Sequence, residues 1–263
     1  MSCYRLANPN PEVSVRLTTP SPASIAAVPL LFLATACASG DKQQSAAVDS
    51  GAAATTAAAT GATTGAMAMP GGDADRNAAG GGTVPAGYLT RTDREGTPIG
   101  GAKYAANGGR WEVTTGPAHI IYAAKDSARG SYTASATFDQ LENPAHPEAY
   151  GIFIGGQNLD GPAQRYTYFV VRGTGQYLVR VRDGANTKDV ATWTSNAAVP
   201  KADASGKATY RLAAHVAADT VHFIVNDKTV AAAPKSAVPT DGIAGIRINH
   251  NLHVAVTPIT IKK

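Results

Sequence analysis

Apolar and polar residues alternate along several short runs in the second half of the chain. In "SYTASATFDQ" this alternation puts Tyr132, Ala134, Ala136 and Phe138 on one side and hydroxyl or acidic residues on the other. The same period recurs in "QYLVRVRD", "TYRLAAHVA", "TVHFIVN" and "IAGIRINHNLHVAV". Successive side chains of a β-strand point to opposite faces, so this period predicts strands with one buried and one solvated face.

Turn-forming residues separate these runs. "RGTGQ" is typical of a hairpin that joins predicted strands at Arg165–Arg172 and Gln176–Asp183, and "VNDKTV" and "RDGAN" predict two more. Pro258 falls inside a run, which predicts an edge strand or a bulge there. About a dozen such strands without a long amphipathic helix predict an all-β fold, a two-sheet antiparallel sandwich.

The first third of the chain has a different composition. Residues 37–83 are dominated by Ala, Gly and Thr and contain no aromatic residue, Leu or Ile. Such a segment cannot bury enough apolar surface to offset the entropy of ordering it, so it is predicted to be a disordered tether. An alanine-rich helix is the alternative, which the interspersed Gly and Thr disfavour. The folded domain is therefore expected at residues 84–263.

Residues 24–36, "SIAAVPLLFLATA", form an apolar run that precedes Cys37. The run has the length of a signal-peptide core and is shorter than the roughly 20 residues that a membrane-spanning helix needs. "ATAC" and the polar "SGDKQQS" that follows resemble the signal of a bacterial lipoprotein. The resemblance implies a signal peptide at 1–36, lipidation of Cys37 and, from Ala38 and Ser39, sorting to the outer membrane of the cell envelope. An ordinary cleaved signal with an incidental Cys37 is the alternative.

The order of "GRWEVTTGPAHIIYAA", "EAYGIFIGGQ", "YTYFVVRGTGQYLVRVRDG", "HFIVNDKTVA" and "DGIAGIRINHNLHVAV" also resembles a known family over Gly109 to Lys263. It is similar to the concanavalin A-like jelly rolls, particularly laminin-G-like and 3-keto-disaccharide-hydrolase-like domains. The resemblance implies a jelly-roll topology. Two features depart from it, because Gly155 and Gly156 stand where the hydrolase-like family usually has an arginine and no E-x-D-x-E run is present.

Few residues suggest catalysis or metal binding. No two glutamates have the close strand spacing that acid–base hydrolysis would use, and Glu148 is the best single candidate, although a solvated loop position is the expected one. His250 and His253 are three residues apart and would point to opposite strand faces, so no zinc site is expected. Asn158 and Asp160 on a Gly-rich loop are possible calcium ligands, with a plain turn as the preferred interpretation. No cofactor is otherwise expected.

Outward strand positions provide the remaining functional hypothesis. Aromatic rings stack on sugar faces and arginine or asparagine bonds to hydroxyls, which suggests a saccharide site. Its candidate residues are Tyr166, Tyr168, Arg180, Arg182, Trp193, Arg247 and Asn249. Tyr168 and Trp193 are equally plausible as core residues.

The sequence therefore predicts a non-catalytic domain that binds a saccharide or glycoconjugate and is attached to the membrane by its lipid. The alternatives are a glycosidase-like hydrolase of the 3-keto-disaccharide type and a structural or interaction domain of the envelope. A net charge of +4 without clustered basic runs argues against nucleic acid as a partner.

Overall fold

A computed structural model describes residues 83–263 of the chain. The predicted signal peptide, Cys37 and all of the predicted tether except Thr83 lie outside the described residues. The strands of the described part are β1 (Leu89–Thr92), β2 (Lys103–Asn107), β3 (Arg110–Thr114), β4 (His119–Ala128), β5 (Tyr132–Gln140), β6 (Ala149–Gln157), β7 (Arg165–Arg172), β8 (Gln176–Asp183), β9 (Asn186–Ser195), β10 (Ala208–Val216), β11 (Thr220–Val225), β12 (Lys228–Pro234), β13 (Gly242–Ile248), β14 (His253–Val256) and β15 (Thr260–Lys262).

The strands form two antiparallel sheets. The seven-stranded sheet has the order β1-β4-β13-β6-β7-β8-β9. The eight-stranded sheet has the order β12-β11-β10-β5-β14-β3-β2, and β15 pairs with β5. Two three-residue 3₁₀ turns, at Ile99–Gly101 and Lys235–Ala237, are the helical segments in this part of the chain. The predicted all-β, two-sheet jelly-roll sandwich is confirmed.

The alternating residues form the core of the sandwich. On β5 every second residue from Tyr132 to Phe138 is buried, and on β10 the same holds from Tyr210 to Val216. Phe138 and Tyr210 lie opposite one another in the register of the two strands. Each such residue removes its apolar surface from water, which is the main favourable term in folding.

The predicted hairpins are also present. β7 and β8 have the predicted bounds, and the β11–β12 turn places Asn226 and Asp227 at φ 48° and 65°. Asparagine and aspartate tolerate this left-handed conformation because their short side chains bond locally to the backbone. The prediction for Pro258 is wrong, because this residue lies between β14 and β15 and not inside a strand.

The seven-stranded sheet has a second apolar cluster on its outer face, away from the sandwich core. Its buried members are Ile120, Tyr122, Ala149, Phe153, Leu159, Tyr166, Tyr168, Val170 and Leu178. As a result β6 and β7 are buried along nearly their whole length and do not show the usual alternation of burial. In the described part, no helix is long and apolar enough to cross a membrane.

Candidate functional site

The strand register builds one row of side chains across the outer face of the seven-stranded sheet. Residues that lie opposite one another on neighbouring strands share a face. The row, in sheet order from β1 to β9, is Leu89, Tyr122, Gly245, Phe153, Tyr168, Arg180 and Asp189. It therefore combines an exposed leucine, three aromatic rings and an ion pair between Arg180 and Asp189.

Buried Arg247 and partly buried Asp93 form an ion pair over this face. Arg247 donates from Nη1 to Oδ1 of Asp93 at 2.8 Å and from Nη2 to Oδ2 at 2.6 Å. Its guanidinium carbon lies 4.7 Å from the centre of the Tyr168 ring, and Nη1 lies 3.3 Å from the Tyr166 hydroxyl. Burial alone would raise the pKa of Asp93, but the charge and hydrogen bonds of Arg247 outweigh this and lower it.

The chain segment after β1 is bonded to the outer face of the seven-stranded sheet at Asp93. Asp93 also contacts Arg182, whose Nη2 donates to the Asp93 carbonyl at 3.2 Å. Arg91 donates from Nη1 to the carbonyl of Gly161 at 2.8 Å and so ties β1 to the β6–β7 loop. These bonds hold the segment 93–97 and the loop 158–164 beside the apolar cluster.

A groove of about 410 Å³ lies between these two segments and β1. Its lining residues are Leu89, Thr90, Arg91, Thr92, Glu95, Gly96, Thr97, Ile99, Tyr122 and Asp160. Glu95 and Asp160 are exposed, whereas Tyr122 is buried, and burial followed by the charge of Asp160 raises the pKa of Tyr122. Ligand pockets of small molecules span roughly 300–1,000 Å³, so the groove has room for one.

The predicted site residues are divided among several places. Tyr166, Tyr168 and Arg247 are buried under the Asp93 segment, so the rings of the two tyrosines are not available for stacking in this arrangement. Arg182 lines a smaller pocket of about 140 Å³ with Arg91, Asp93 and Glu95.

The other predicted residues lie at the margins of the sheet. Arg180 is paired with Asp189 on the edge strand β9. Trp193 is partly buried under Arg172, whose guanidinium carbon is 4.2 Å from the ring centre. Asn249 follows β13 and donates to Oε2 of Glu148 at 3.3 Å. The face thus brings part of the predicted set together, but the groove is lined by other residues.

The groove residues Arg91, Glu95, Tyr122 and Asp160 are absent from the predicted saccharide set. β1 carries only four residues, and the family-like pattern begins after it, at Gly109. Tyr122 lies in the run "HIIYAA" of β4. Residues on both faces of the strand are buried there, so apolar and polar residues do not alternate. The sequence suggests Asp160 only as a calcium ligand or turn residue, and in the structure the carbonyl of Asn158 accepts from the Gly161 N–H at 3.1 Å in a plain turn.

A group of two histidines and a glutamate lies at one end of the same sheet. Oε1 of Glu148 is 3.2 Å from Nε2 of His146 and 2.9 Å from Nε2 of His250. The expectation that Glu148 is solvated is wrong, because the residue is buried. His253 is separate, as expected, and its Nε2 lies 2.7 Å from Oε1 of Glu112.

Comparisons with known proteins add solved structures of similar fold. No protein-family model and no curated protein matches the sequence. A carbohydrate-binding module from Bacillus subtilis matches with 13% identity over 67% of this chain and 96% of its own, at a TM-score of 0.47. A Bacillus subtilis protein of unknown function with a galectin-like fold matches with 10% identity over 66% and 88%, at a TM-score of 0.49.

A third structure is domain 4 of an extracellular arabinanase from Geobacillus stearothermophilus, in complex with arabinotriose. It matches with 10% identity over 67% of this chain and 82% of its own, at a TM-score of 0.41.

Proposed function

We propose that the β-sandwich is a saccharide-binding module whose site is the groove beside β1. The observation that supports it most is the mixture of groups in the groove lining. Arg91 supplies donors, Glu95 and Asp160 supply acceptors, and Leu89 and Tyr122 supply apolar surface. A saccharide ring presents hydroxyls that both donate and accept on its rim and C–H groups on its faces, so it matches such a lining.

Binding in this groove requires no covalent step. The carboxylates of Glu95 and Asp160 accept hydrogen bonds from sugar hydroxyls, and charge-assisted bonds of this kind are stronger than neutral ones. The contact between Arg91 and Gly161 holds the loop that carries Asp160 in place before the ligand arrives. A site that is ordered in advance loses less entropy on binding.

A glycan array probed with the purified full-length chain identifies a ligand, and calorimetry then tests the groove. Glu95→Gln keeps the size of the side chain and removes its charge, so we expect it to weaken binding about tenfold, equivalent to about 1.4 kcal/mol. Glu142→Gln is the matched control, because Glu142 is exposed and lies beside His253 away from the groove. Equal affinity of the Glu95→Gln variant and the parent chain, or an array without any ligand, would contradict the proposal.

Glycoside hydrolysis is a second candidate function, because two carboxylates, Glu95 and Asp160, line the same groove. Hydrolysis of a glycosidic bond by most known routes uses such a pair, one as acid and one as base or nucleophile. The ligand from the array, incubated with the chain, distinguishes the two functions. Release of reducing ends that Glu95→Gln and Asp160→Asn both abolish identifies a hydrolase, and an intact ligand identifies a binding module.

We further propose that the module is lipid-anchored in the cell envelope, since the apolar run, Cys37 and the Ala-rich segment together have the order of a signal, an anchor site and a tether. A fatty-acid label that is incorporated into the parent chain and not into Cys37→Ser tests this. Incorporation that persists in the variant would contradict it.

A further inference from the structure

We propose that His146, Glu148 and His250 form a binding site for a divalent transition-metal ion. The three ligand atoms lie within 4.8 Å of one another. The inference is independent of the saccharide proposal, since none of the three residues lines the groove beside β1.

The antiparallel pairing of β6 with β13 brings these residues together. Glu148 immediately precedes β6, and His250 follows β13 by two residues. Tyr150 pairs with Ile248, and the N–H of Asn249 donates to the carbonyl of Ala149 at 3.0 Å. Paired backbone therefore fixes two of the three ligand-bearing positions, and the β5–β6 loop supplies His146 next to them.

Two of the three distances within the cluster match those between ligands of one ion. Zinc binds imidazole nitrogen and carboxylate oxygen at about 2.0–2.2 Å, which places two ligands of a tetrahedral site about 3.3 Å apart. Oε1 of Glu148 lies 3.2 Å from one imidazole nitrogen and 2.9 Å from the other. The third distance, between the two imidazole nitrogens, is at most 4.8 Å, and rotation of the partly exposed His146 side chain can shorten it.

The surroundings of the cluster resemble those of a metal site. Glu148 is buried, and Asn249 donates to its second carboxylate oxygen at 3.3 Å, which orients the carboxylate. Hydrogen-bonded partners of this kind commonly hold metal ligands in place. The His146 and His250 side chains are 49% and 28% exposed, so water can occupy the remaining coordination positions.

Hydrogen bonding within the cluster does not satisfy His146 completely. Its Nε2 lies 3.2 Å from the Glu148 carboxylate, which requires a proton on this nitrogen, and 3.4 Å from the Asn251 Nδ2, which requires a lone pair. A neutral imidazole nitrogen has one or the other. Bound to a metal, the nitrogen uses its lone pair, and the ion takes the place of the proton beside Glu148.

The ligand types favour zinc and its neighbours in the transition series. Two imidazoles and one carboxylate are the donors that zinc, iron and nickel accept, whereas calcium and magnesium prefer oxygen ligands throughout. His253 provides an internal comparison. It lies near two carboxylates, Glu112 and Glu142, and no second imidazole belongs to a metal-ligand group with it among the described residues.

Calorimetric titration of the untagged full-length chain with zinc chloride, after removal of bound metal with a chelator, tests the site. The titration uses the Cys3→Ser, Cys37→Ser background, which removes the two cysteine thiols of the chain. We expect one zinc ion per chain, and at least tenfold weaker binding in each of His146→Ala, Glu148→Gln and His250→Ala. The matched control, His253→Ala, should bind zinc like the parent.

A second readout does not depend on zinc affinity. Cobalt added to the metal-free chain should give the visible absorption of a nitrogen- and oxygen-bound ion, and this absorption should be lost in His250→Ala and kept in His253→Ala. Circular dichroism of each metal-free variant checks the fold, and exposed His146 gives a variant that should fold even if Glu148→Gln does not. No zinc uptake by the parent, or equal loss of uptake in His253→Ala, would overturn the proposal.

Discussion

The outer faces of the two sheets differ in how they are covered. On the eight-stranded sheet the outer residues of β5 and β10 are partly or fully exposed and, apart from one alanine on β10, polar, and Thr133 contacts His215 there at 2.9 Å. On the seven-stranded sheet the corresponding face buries Phe153, Tyr166 and Tyr168 together with the charged Arg247. One sheet thus faces water as the period of two predicts, while the other supports a second apolar layer with the groove at its margin.

The difference shows where function can be built on this fold. A solvated sheet face needs no particular partner, because water satisfies its polar groups. A covered face requires segments that cross it and polar groups that hold those segments, and here the Asp93–Arg247 pair has this role. The groove exists because the 93–97 segment and the 158–164 loop are fixed at this place.

Removal of the charge of Asp93 should have the largest effect on stability. Asp93→Asn leaves the buried guanidinium of Arg247 without its counter-charge, and loss of one partner of a buried pair costs about 3 kcal/mol. Urea unfolding measures the loss. The control is Asp227→Asn, which breaks the exposed Arg211–Asp227 pair of the other sheet and should cost less than about 1 kcal/mol. Equal losses of unfolding free energy in the two variants would show that an ion pair contributes the same stability on both outer faces.

The sequence predicts most of the eight-stranded sheet and only part of the seven-stranded one. Strands with one solvated face carry their period in the sequence, as Tyr132 to Phe138 and Tyr210 to Val216 show. β6 has no such period, because both of its faces are buried, and its central residues could equally belong to a core helix. The strand was predicted through its resemblance to a family pattern.

The site is harder to predict because its contacts join distant parts of the chain. Asp93 and Arg247 are 154 positions apart, and Asn249 and Glu148 are 101 apart. No local spacing encodes such pairs, since they depend on which strands become neighbours. His146 lies 104 positions before His250, so the short spacing of His250 and His253 gives no indication that His146 is its neighbour in the fold.

A buried histidine should make the stability depend on pH. Burial lowers the pKa of His119 from its ordinary 6.5 to about 4, against the opposing effect of its hydrogen bond to the Pro117 carbonyl. Below pH 6.5 the unfolded chain takes up a proton that the folded chain refuses until about pH 4, so stability falls as the pH decreases through this range.

Between pH 7 and pH 5 this histidine should remove about 2 kcal/mol of stability. Urea unfolding at the two pH values measures the change, and it should be smaller in His119→Gln. A parent chain that is equally stable at pH 7 and pH 5 would contradict the assignment of His119 as neutral in the fold.

The smallest effect is expected at the far margin of the covered face, where Arg172 lies over Trp193. Arg172→Ala removes a cation–π contact between partly exposed groups, which contributes about 0.5–1 kcal/mol. It also uncovers the ring, so quenching of the Trp193 fluorescence by acrylamide should increase. Trp193→Phe gives the signal of the other tryptophan, Trp111, which is buried. If Arg172→Ala changed neither the unfolding free energy nor the quenching, the apolar cluster of the outer face would end at Leu178. Trp193 would then belong to the solvated edge of the sheet.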